Sequence, residues 1–456
     1  MGVLRVPTPE PGPATEPATG PVTEPVSGPA AGPESGSVGG SAAGRATGPA
    51  SGSEAGPALA VTGSTAGPAS DPATGSVPGR VPDAAVEPVA SPGTERDSGP
   101  ASGTLFAAGG GVAIVPGWRR RVVPPLVAAL VLAAAMTAGL LVGAADMPVG
   151  GVLLTLLDRL PLVSVDSGLS PVEQALLLEL RLPRVLTAVV VGGLLAVAGA
   201  GYQGVFRNPL ADPYLLGAAA GAGLTVTLAV VFLPGETGVV AVPVAAFAGA
   251  IGGVFLAYAL GRTAGQGGGT ATLVLAGVAV MSFLTAIQTF VQQLDVEELE
   301  RVYAWILGDL GGSWEQLAMI APYTILSVGV MVLHGRLLDV LSVGDEEAAG
   351  LGVNVARVRL VVLAAASLAT AAAVAVSGLI GFVGVVVPHV VRRLAGGSYR
   401  VVLPLSLVGG AAFLVVADLV ARTVLAPAEL PIGVVTAFVG APFFVAVLRA
   451  TRPVET

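Results

Sequence analysis

The chain has 456 residues and a formal net charge of −8, with 53% hydrophobic and only 11% charged residues. Because soluble domains carry about 25% charged residues, this composition excludes a fully water-soluble fold and favours a polytopic membrane protein. The sequence has no Cys and no Lys, and its only His residues, His334 and His389, lie far apart. These absences exclude disulfides, a thiol nucleophile, a P-loop and an H-E-x-x-H metal site, so we expect no covalent catalysis by this chain itself.

The N-terminal segment, residues 1–117, is one block rich in Pro, Gly, Ala, Ser and Thr. Such a segment cannot bury enough apolar surface to offset the entropy lost on ordering, so we predict a disordered cytoplasmic tail. The tail also holds most of the negative charge, and the nearly neutral remainder gives no support for nucleic-acid binding. Residues 118–456 form the predicted transmembrane domain.

Apolar runs follow one another from Trp118 onward, and each approaches the roughly 20 residues that a helix needs to cross a bilayer. They predict an all-α polytopic membrane protein with ten transmembrane helices. A further short helix is predicted near residues 299–309, between the fifth and sixth spans. The ten spans lie near residues 122–144, 183–205, 214–233, 238–261, 271–294, 316–335, 358–377, 378–394, 401–421 and 430–448.

Arginine placement predicts the orientation of these spans, because cytoplasmic loops carry an excess of basic residues. With the N-terminus inside, thirteen arginines of the hydrophobic region fall at inner loops and span ends, and five fall outside. The reversed topology exchanges these counts, so we predict that both termini are cytoplasmic. The five outer arginines are Arg159, Arg181, Arg184, Arg301 and Arg422.

Three of the outer arginines form a candidate docking site. Arg181 and Arg184 are three residues apart, which places both on one face of a helix at the outer interface, and Arg422 lies at the outer end of the ninth span. Guanidinium groups bind carboxylates through two donors, so these residues suit an acidic extracytoplasmic partner. The alternative is local pairing, with Glu179 near Arg181 and with Asp418 four residues before Arg422.

The longest predicted inner loop after the tail, residues 337–353, has the pattern of two short helices. Leucines recur at helical spacing from Leu337 to Leu341, and Gly344 interrupts the pattern. Three acids at residues 345–347 then occupy the first turn of a second helix, where they suit the positive end of the helix dipole. We predict a rigid projection that inserts into a partner's cleft. A plain connector resting on lipid headgroups is disfavoured, because an anionic leaflet repels three consecutive acids.

Several longer motifs carry a resemblance to a known family. The chain resembles, from about Leu126 to Arg449, the FecCD-type permease subunits of type II ABC importers, which move ferric siderophores, haem and cobalamin. The tail is outside the resemblance. The motifs are LRLPR at residues 180–184, GYQGVFRNPLADP at 201–213 with Leu216-Gly217, GLIGFVG at 378–384 with Pro388-His389, and AELPIGVVT at 428–436.

The resemblance implies a bacterial plasma-membrane assembly with several partners. These are a second permease subunit, identical or different, two cytoplasmic ATPase subunits that carry the ATP and Mg²⁺, and an extracytoplasmic binding protein. No cofactor or metal is expected in this chain. In the family, arginines matching Arg181, Arg184 and Arg422 meet acids of the binding protein, and the loop matching residues 337–353 couples to the ATPase. The candidate coupling residues are Leu341, Gly344, Asp345, Glu346, Glu347, Ala348, Gly350, Leu351 and Gly352.

Four polar residues near the outer end of the fifth span are candidates for the transport pathway: Gln288, Thr289, Gln292 and Gln293. Polar side chains are costly against lipid, so we expect them to face the dimer axis or another helix of the same chain. Both possibilities remain open. His389 could be a substrate or metal ligand, but a packing role is favoured because it has no Cys or acidic neighbour.

The favoured function is the permease of an ABC importer for a ferric siderophore, with cobalamin or haem as alternative substrates. A secondary transporter driven by an ion gradient is the alternative from another class. That class commonly keeps ionisable residues in mid-membrane. Here Asp418 is the nearest case, and it lies towards the end of a span.

Overall fold

The computed structural model describes residues 117–143, 147–159, 165–233, 240–263 and 270–450, and within these ranges the secondary structure is entirely helical. The predicted all-α fold is therefore confirmed. The predicted tail lies outside the described residues, apart from Gly117. The helices are α1 (Gly117–Leu141), α2 (Val149–Asp158), α3 (Pro171–Ala175), a π-helical turn (Leu176–Arg181), α4 (Leu182–Phe206), α5 (Ala218–Phe232), α6 (Ala241–Thr263), α7 (Thr270–Gln292), α8 (Leu299–Leu307), α9 (Trp314–Leu333), α10 (Gly335–Leu341), α11 (Asp345–Gly350), α12 (Val355–Ser377), α13 (Val383–Ala395), α14 (Tyr399–Thr423) and α15 (Ile432–Ala450).

Within the described residues, seven helical stretches are long and apolar enough to cross a membrane. They match seven of the predicted spans, and the third and tenth predicted spans are the shorter apolar helices α5 and α15. The short helix predicted near residues 299–309 is α8. The seven stretches are Val123–Leu141, Pro171–Phe206, Ala241–Thr263, Ala271–Gln292, Trp314–Leu333, Val355–Ser377 and Tyr399–Thr423.

Two boundaries and one helix differ from the prediction. The eighth span begins as a helix only at Val383, because Gly378 (φ 64°) and Phe382 (φ 68°) interrupt the chain with left-handed backbone. The second span is preceded by α3 and the π-helical turn, so its helical stretch starts at Pro171 rather than at residue 183. Helix α2 was not predicted, because its ten residues are too short to meet the bilayer criterion.

Helix α4 lies at the centre of the bundle and is buried along most of its length, packed against α9, α12, α13 and α14. Glycines allow this close approach. A Cβ at Gly199 would overlap the backbone of Gly384 in α13, and a Cβ at Gly192 would overlap the backbone of Gly410 in α14. Because lipid tails give no hydrophobic driving force between helices, this backbone contact supplies the van der Waals packing that holds them together.

The turn from α4 to α5 is built by side chains that bind the backbone. Helix α4 ends at Phe206, and the next residue, Arg207, has a left-handed φ of 49°. The Oδ1 atoms of Asn208 and Asp212 accept hydrogen bonds from the N–H groups of Leu210 (2.9 Å) and Tyr214 (2.8 Å). Burial raises the pKa of Asp212 to about 6, although the bond from Tyr214 acts in the opposite direction. These contacts set the direction in which the chain enters α5.

Candidate functional site

The arginines predicted for docking converge around the last turn of α1, at the end of the bundle predicted to be outer. Arg181 donates from Nη1 to the carbonyl oxygen of Leu140 at 2.9 Å. Arg422 donates to the carbonyl oxygens of Gly139 and Val142, each at 3.1 Å. Carbonyls in the last turn of a helix have no partner within that helix, so the two guanidinium groups stabilise the end of α1.

Asp418 of α14 joins two of these arginines. Its Oδ1 accepts from Arg184 Nε at 3.0 Å, and its Oδ2 lies 3.0 Å from Arg422 Nε. Arg184 also forms a two-pronged pair with Glu429, with Nη1–Oε1 at 3.2 Å and Nη2–Oε2 at 2.7 Å. Asp418 is almost fully buried, so the network brings α1, α4, α14 and the segment before α15 together at one point.

Access to the three guanidinium groups is unequal. The side chains of Arg184 and Arg422 are 20% and 8% exposed, and Arg181 is buried. The carboxylate of Glu429 is much more open, with 49% of its side chain exposed. Of the local pairs named as the alternative, the structure shows that of Arg422 with Asp418, and docking stays a prediction. Arg184 is paired on its solvent side with the exposed carboxylate of Glu429. An acidic partner could therefore bind Arg184 by replacing Glu429.

The two short helices predicted in the inner loop are α10 and α11, at the opposite end of the bundle. Gly344 separates them with φ 155°, a conformation that favours glycine. Leu341, Gly344 and Ala348 are buried beneath this pair. The solvent-facing side carries Glu346, Glu347, Gly350 and Gly352 together with two apolar tips, Val343 and Leu351, which are 69% and 71% exposed. We call α10, α11 and the residues that follow them up to Gly352 the knob.

Four contacts fix the knob to the long helices. Asp345, at the start of α11, forms ion pairs with Arg207 at the end of α4 and with Arg359 near the start of α12, the latter at 2.8 Å. Asp339 of α10 accepts the Tyr399 backbone N–H, which caps the start of α14, and the Ser398 hydroxyl at 2.8 Å. These contacts join α10 and α11 directly to α4, α12 and α14.

The four polar residues predicted for the pathway lie on two faces of α7 and the turn that follows it. Gln288 and Gln292 are buried, and a Cβ at Gly223 of α5 would lie 2.7 Å from Gln288 Oε1. Thr289 and Gln293 are exposed. Gln288 and Gln292 therefore pack against other helices of this chain, which was one of the two possibilities left open by the sequence. The exposed pair remains available to a pathway or a second subunit.

The His389 ring packs edge-on against Phe443 of α15 with centroids 5.7 Å apart, which agrees with a packing role. Among the described residues there is no group of three or more His, Cys, Asp or Glu side chains placed to hold a metal ion.

Sequence reasoning missed the partners of the candidate residues. Glu429 binds Arg184 across 245 residues, and Asp339 binds Ser398 across 59. Arg207 and Arg359 both bind Asp345, Arg359 from only 14 residues away. One signal was present: Glu429 lies inside the AELPIGVVT motif, and a carboxylate beside an outer arginine cluster is a candidate partner on charge alone.

Comparison with known proteins places the whole transmembrane region in one family. The model of the FecCD transport family matches residues 129–450. The cobalamin import system permease protein BtuC of Halobacterium salinarum is 42% identical over 283 residues, which cover 62% of this chain and 75% of that protein. The Fe(3+)-citrate import system permease protein YfmD of Bacillus subtilis is 40% identical over 309 residues, covering 67% of this chain and 90% of that protein.

A solved structure gives the same assignment. An inward-facing ABC transporter described as of the metal-chelate type is 29% identical, with a TM-score of 0.62, and the match covers 71% of this chain and 98% of that one. The family model, the relatives and the fold agree. The chain belongs to the FecCD transport family and is a multi-pass permease of the type II ABC importer class.

Proposed function

We propose that this chain is the permease subunit of an importer for a ferric siderophore. An extracytoplasmic binding protein delivers the chelate, a second permease subunit completes the pathway, and two cytoplasmic ATPase subunits supply the energy from ATP and Mg²⁺. The observation that carries the ATP-driven part of the proposal is the knob, whose helices are fixed to α4, α12 and α14 at the end opposite the arginine network. The missing Lys agrees with ATP hydrolysis in a separate subunit.

In this mechanism, ATP binding draws the two ATPase subunits together and moves the knob. Because Asp345 and Asp339 tie the knob to three long helices, the movement changes the packing of the bundle and switches the pathway between outward-open and inward-open states. Coupling of this kind requires that nucleotide and substrate each bias the same two-state element.

The substrate class is tested by uptake in cells that lack their own chelate permeases. The complete chain is expressed with its cognate ATPase and binding protein, and uptake of a radiolabelled ferric hydroxamate is compared with ferric citrate, haemin and cobalamin. We expect uptake of a ferric siderophore. Preferred uptake of cobalamin or haemin would replace the substrate in the proposal, as the similarity to proteins named for both iron citrate and cobalamin allows.

The energy source of uptake distinguishes the proposed ABC importer from the competing function, secondary transport. Uptake into vesicles should depend on the ATPase subunit and should persist when an uncoupler removes the proton gradient and sodium is absent. Uptake that requires an ion gradient and needs no ATPase subunit would overturn the importer proposal.

The proposed orientation is testable because the chain contains no native cysteine. Val172→Cys lies at the predicted outer end and Gly397→Cys at the predicted inner end; both positions are exposed, and a Cβ at Gly397 meets open space. In right-side-out vesicles, a membrane-impermeant maleimide should label V172C at once and G397C only after permeabilisation. The reverse pattern would contradict the proposed orientation.

Docking at the arginine network is tested by two changes to the Arg184–Glu429 ion pair that should shift the affinity for the binding protein in opposite directions. Arg184→Glu should weaken binding of the cognate binding protein about tenfold or more, because it removes the accessible guanidinium and adds repulsion. Glu429→Gln should tighten binding, because it frees Arg184 from its exposed partner. Affinity is measured by surface plasmon resonance on reconstituted permease.

The matched control is Arg301→Glu, which makes the same charge change at an arginine whose side chain is 60% exposed and forms an ion pair with nearby Glu298. It should bind like the parent. If R184E and R301E bind the binding protein equally well, Arg184 is not a docking residue.

A further inference from the structure

A cavity of about 470 Å³ lies between α6, α7 and α12, at the same end of the bundle as the knob. Three of the nine residues that line it are arginines: Arg262 at the end of α6, and Arg357 and Arg359 in the first turns of α12. The lining includes no acidic residue. We call this cavity the inner arginine pocket.

The positive charge of the pocket is only partly balanced by the described residues. Asp345 pairs with Arg359 Nη2 at 2.8 Å, but the same carboxylate also pairs with Arg207. Arg359 Nε is buried and has no hydrogen-bond acceptor among the described residues. The Arg262 guanidinium lies over the Tyr258 ring, 5.9 Å from its centroid. The pocket therefore presents more cationic donors than the acids of the described residues neutralise.

The backbone adds to this positive field. Helix α12 begins at Val355, so its positive dipole end and its first N–H groups lie at the pocket. The Asn354 side chain caps one of these groups, the N–H of Arg357, at 2.9 Å. Guanidinium groups at a helix N-terminus are the donor set that binds phosphate oxygens.

The rest of the surroundings are apolar and open. Leu360 lines the pocket and is 46% exposed, and Phe255, Leu256 and Leu260 are exposed on α6 within two turns of Arg262. In a membrane protein such side chains face acyl chains. A phosphate seated on the arginines would thus have an apolar surface beside it on the membrane side.

We propose that the inner arginine pocket binds the phosphate headgroup of an anionic lipid from the adjoining leaflet. The arginines and the start of α12 bind the phosphate, and the exposed side chains of α6 and Leu360 contact the acyl chains. A free phosphate shares the headgroup chemistry but gains nothing from the apolar surface, so the pocket selects the lipid. Because Arg359 also holds Asp345, the bound lipid lies one side chain away from α11.

The probe is phosphatidylglycerol, compared with phosphatidylcholine of the same acyl chains, on the full-length permease by native mass spectrometry. Arg262→Gln with Arg357→Gln should weaken phosphatidylglycerol binding about 30-fold and leave phosphatidylcholine binding unchanged. The matched control is Arg393→Gln, an exposed arginine at the end of α13 that does not line the pocket. It should bind like the parent.

Ala356→Glu is the second variant, in case the double variant does not fold. It places a carboxylate among the arginines, where it neutralises the pocket, and an acid in the first turn favours the helix. It should also lose selective phosphatidylglycerol binding. A third arm adds soluble glycerol phosphate. The lipid assignment is overturned if glycerol phosphate displaces the lipid at equal concentration, or if pocket and control variants bind phosphatidylglycerol equally.

Discussion

Asp418→Ala is expected to lower the free energy of unfolding by about 3–5 kcal/mol, because it leaves a buried cation without its partner. Asp418 is 1% exposed and pairs with both Arg184 and Arg422. After the change, Arg184 keeps Glu429, but Arg422 retains only the carbonyl oxygens at the end of α1. The change should therefore weaken the packing of α14 against α1 and α4, which the Asp418 network joins. Unfolding of the solubilised full chain in a graded detergent denaturant, followed by circular dichroism, measures the loss.

Two variants test the cause of that loss. Glu429→Ala removes a carboxylate from the same network, but its side chain is half exposed, so we expect a loss of about 1 kcal/mol or less. Asp418→Ala combined with Arg422→Leu removes the stranded cation and should recover part of the stability. Equal losses for D418A and E429A would show that the buried network does not hold α14 against α1 and α4.

Leu351→Glu should abolish coupled uptake. In the proposed function the apolar tip of the knob binds in the ATPase subunit, and this change places a charge on that tip. Binding of that subunit should weaken about tenfold or more, as for an anchor at the centre of an interface. The side chain is 71% exposed, so the fold should be kept. This is sharper than deleting Asp345–Gly350, which should also uncouple uptake but removes the buried Ala348 and the ion pairs of Asp345.

Co-purification of the ATPase subunit gives the readout for this variant. Val172→Glu is the matched control, since it puts the same charge on an equally exposed apolar side chain at the opposite end of the bundle. V172E should retain the ATPase subunit. Parent-like retention and uptake in L351E would remove the knob from the coupling interface.

Helix length and composition sufficed to predict most of the architecture. Seven spans and α8 follow from apolar runs and helical periodicity, because both are local properties of the chain. The break before α13 was harder to predict, because it depends on a left-handed Phe382 that local propensity disfavours. Helix α2 could not be predicted from the length needed to cross a bilayer, because it has only ten residues.

Site residues were predictable where their partners are close in sequence. The pairing of Arg422 with Asp418, four residues apart, was foreseen as an alternative, whereas the pairing of Arg184 with Glu429 spans 245 residues and needs the fold. The different faces of α7 on which the four polar residues lie also follow from the sequence. Gln288 and Gln292 are four residues apart, as are Thr289 and Gln293, so helical periodicity alone assigns them to different sides.

Helix α14 begins at the knob and ends in the arginine network. Asp339 caps its first turn, and its last turns carry Asp418 and Arg422. Its 25 residues give a rod about 37 Å long. A single continuous helix thus connects the face that meets the ATPase in our proposal with the face that meets the binding protein in our proposal. In the proposed mechanism, a tilt of α14 imposed at one side of the bilayer moves the ion pairs at the other side. Binding of a loaded binding protein and binding of nucleotide would then both act on α14.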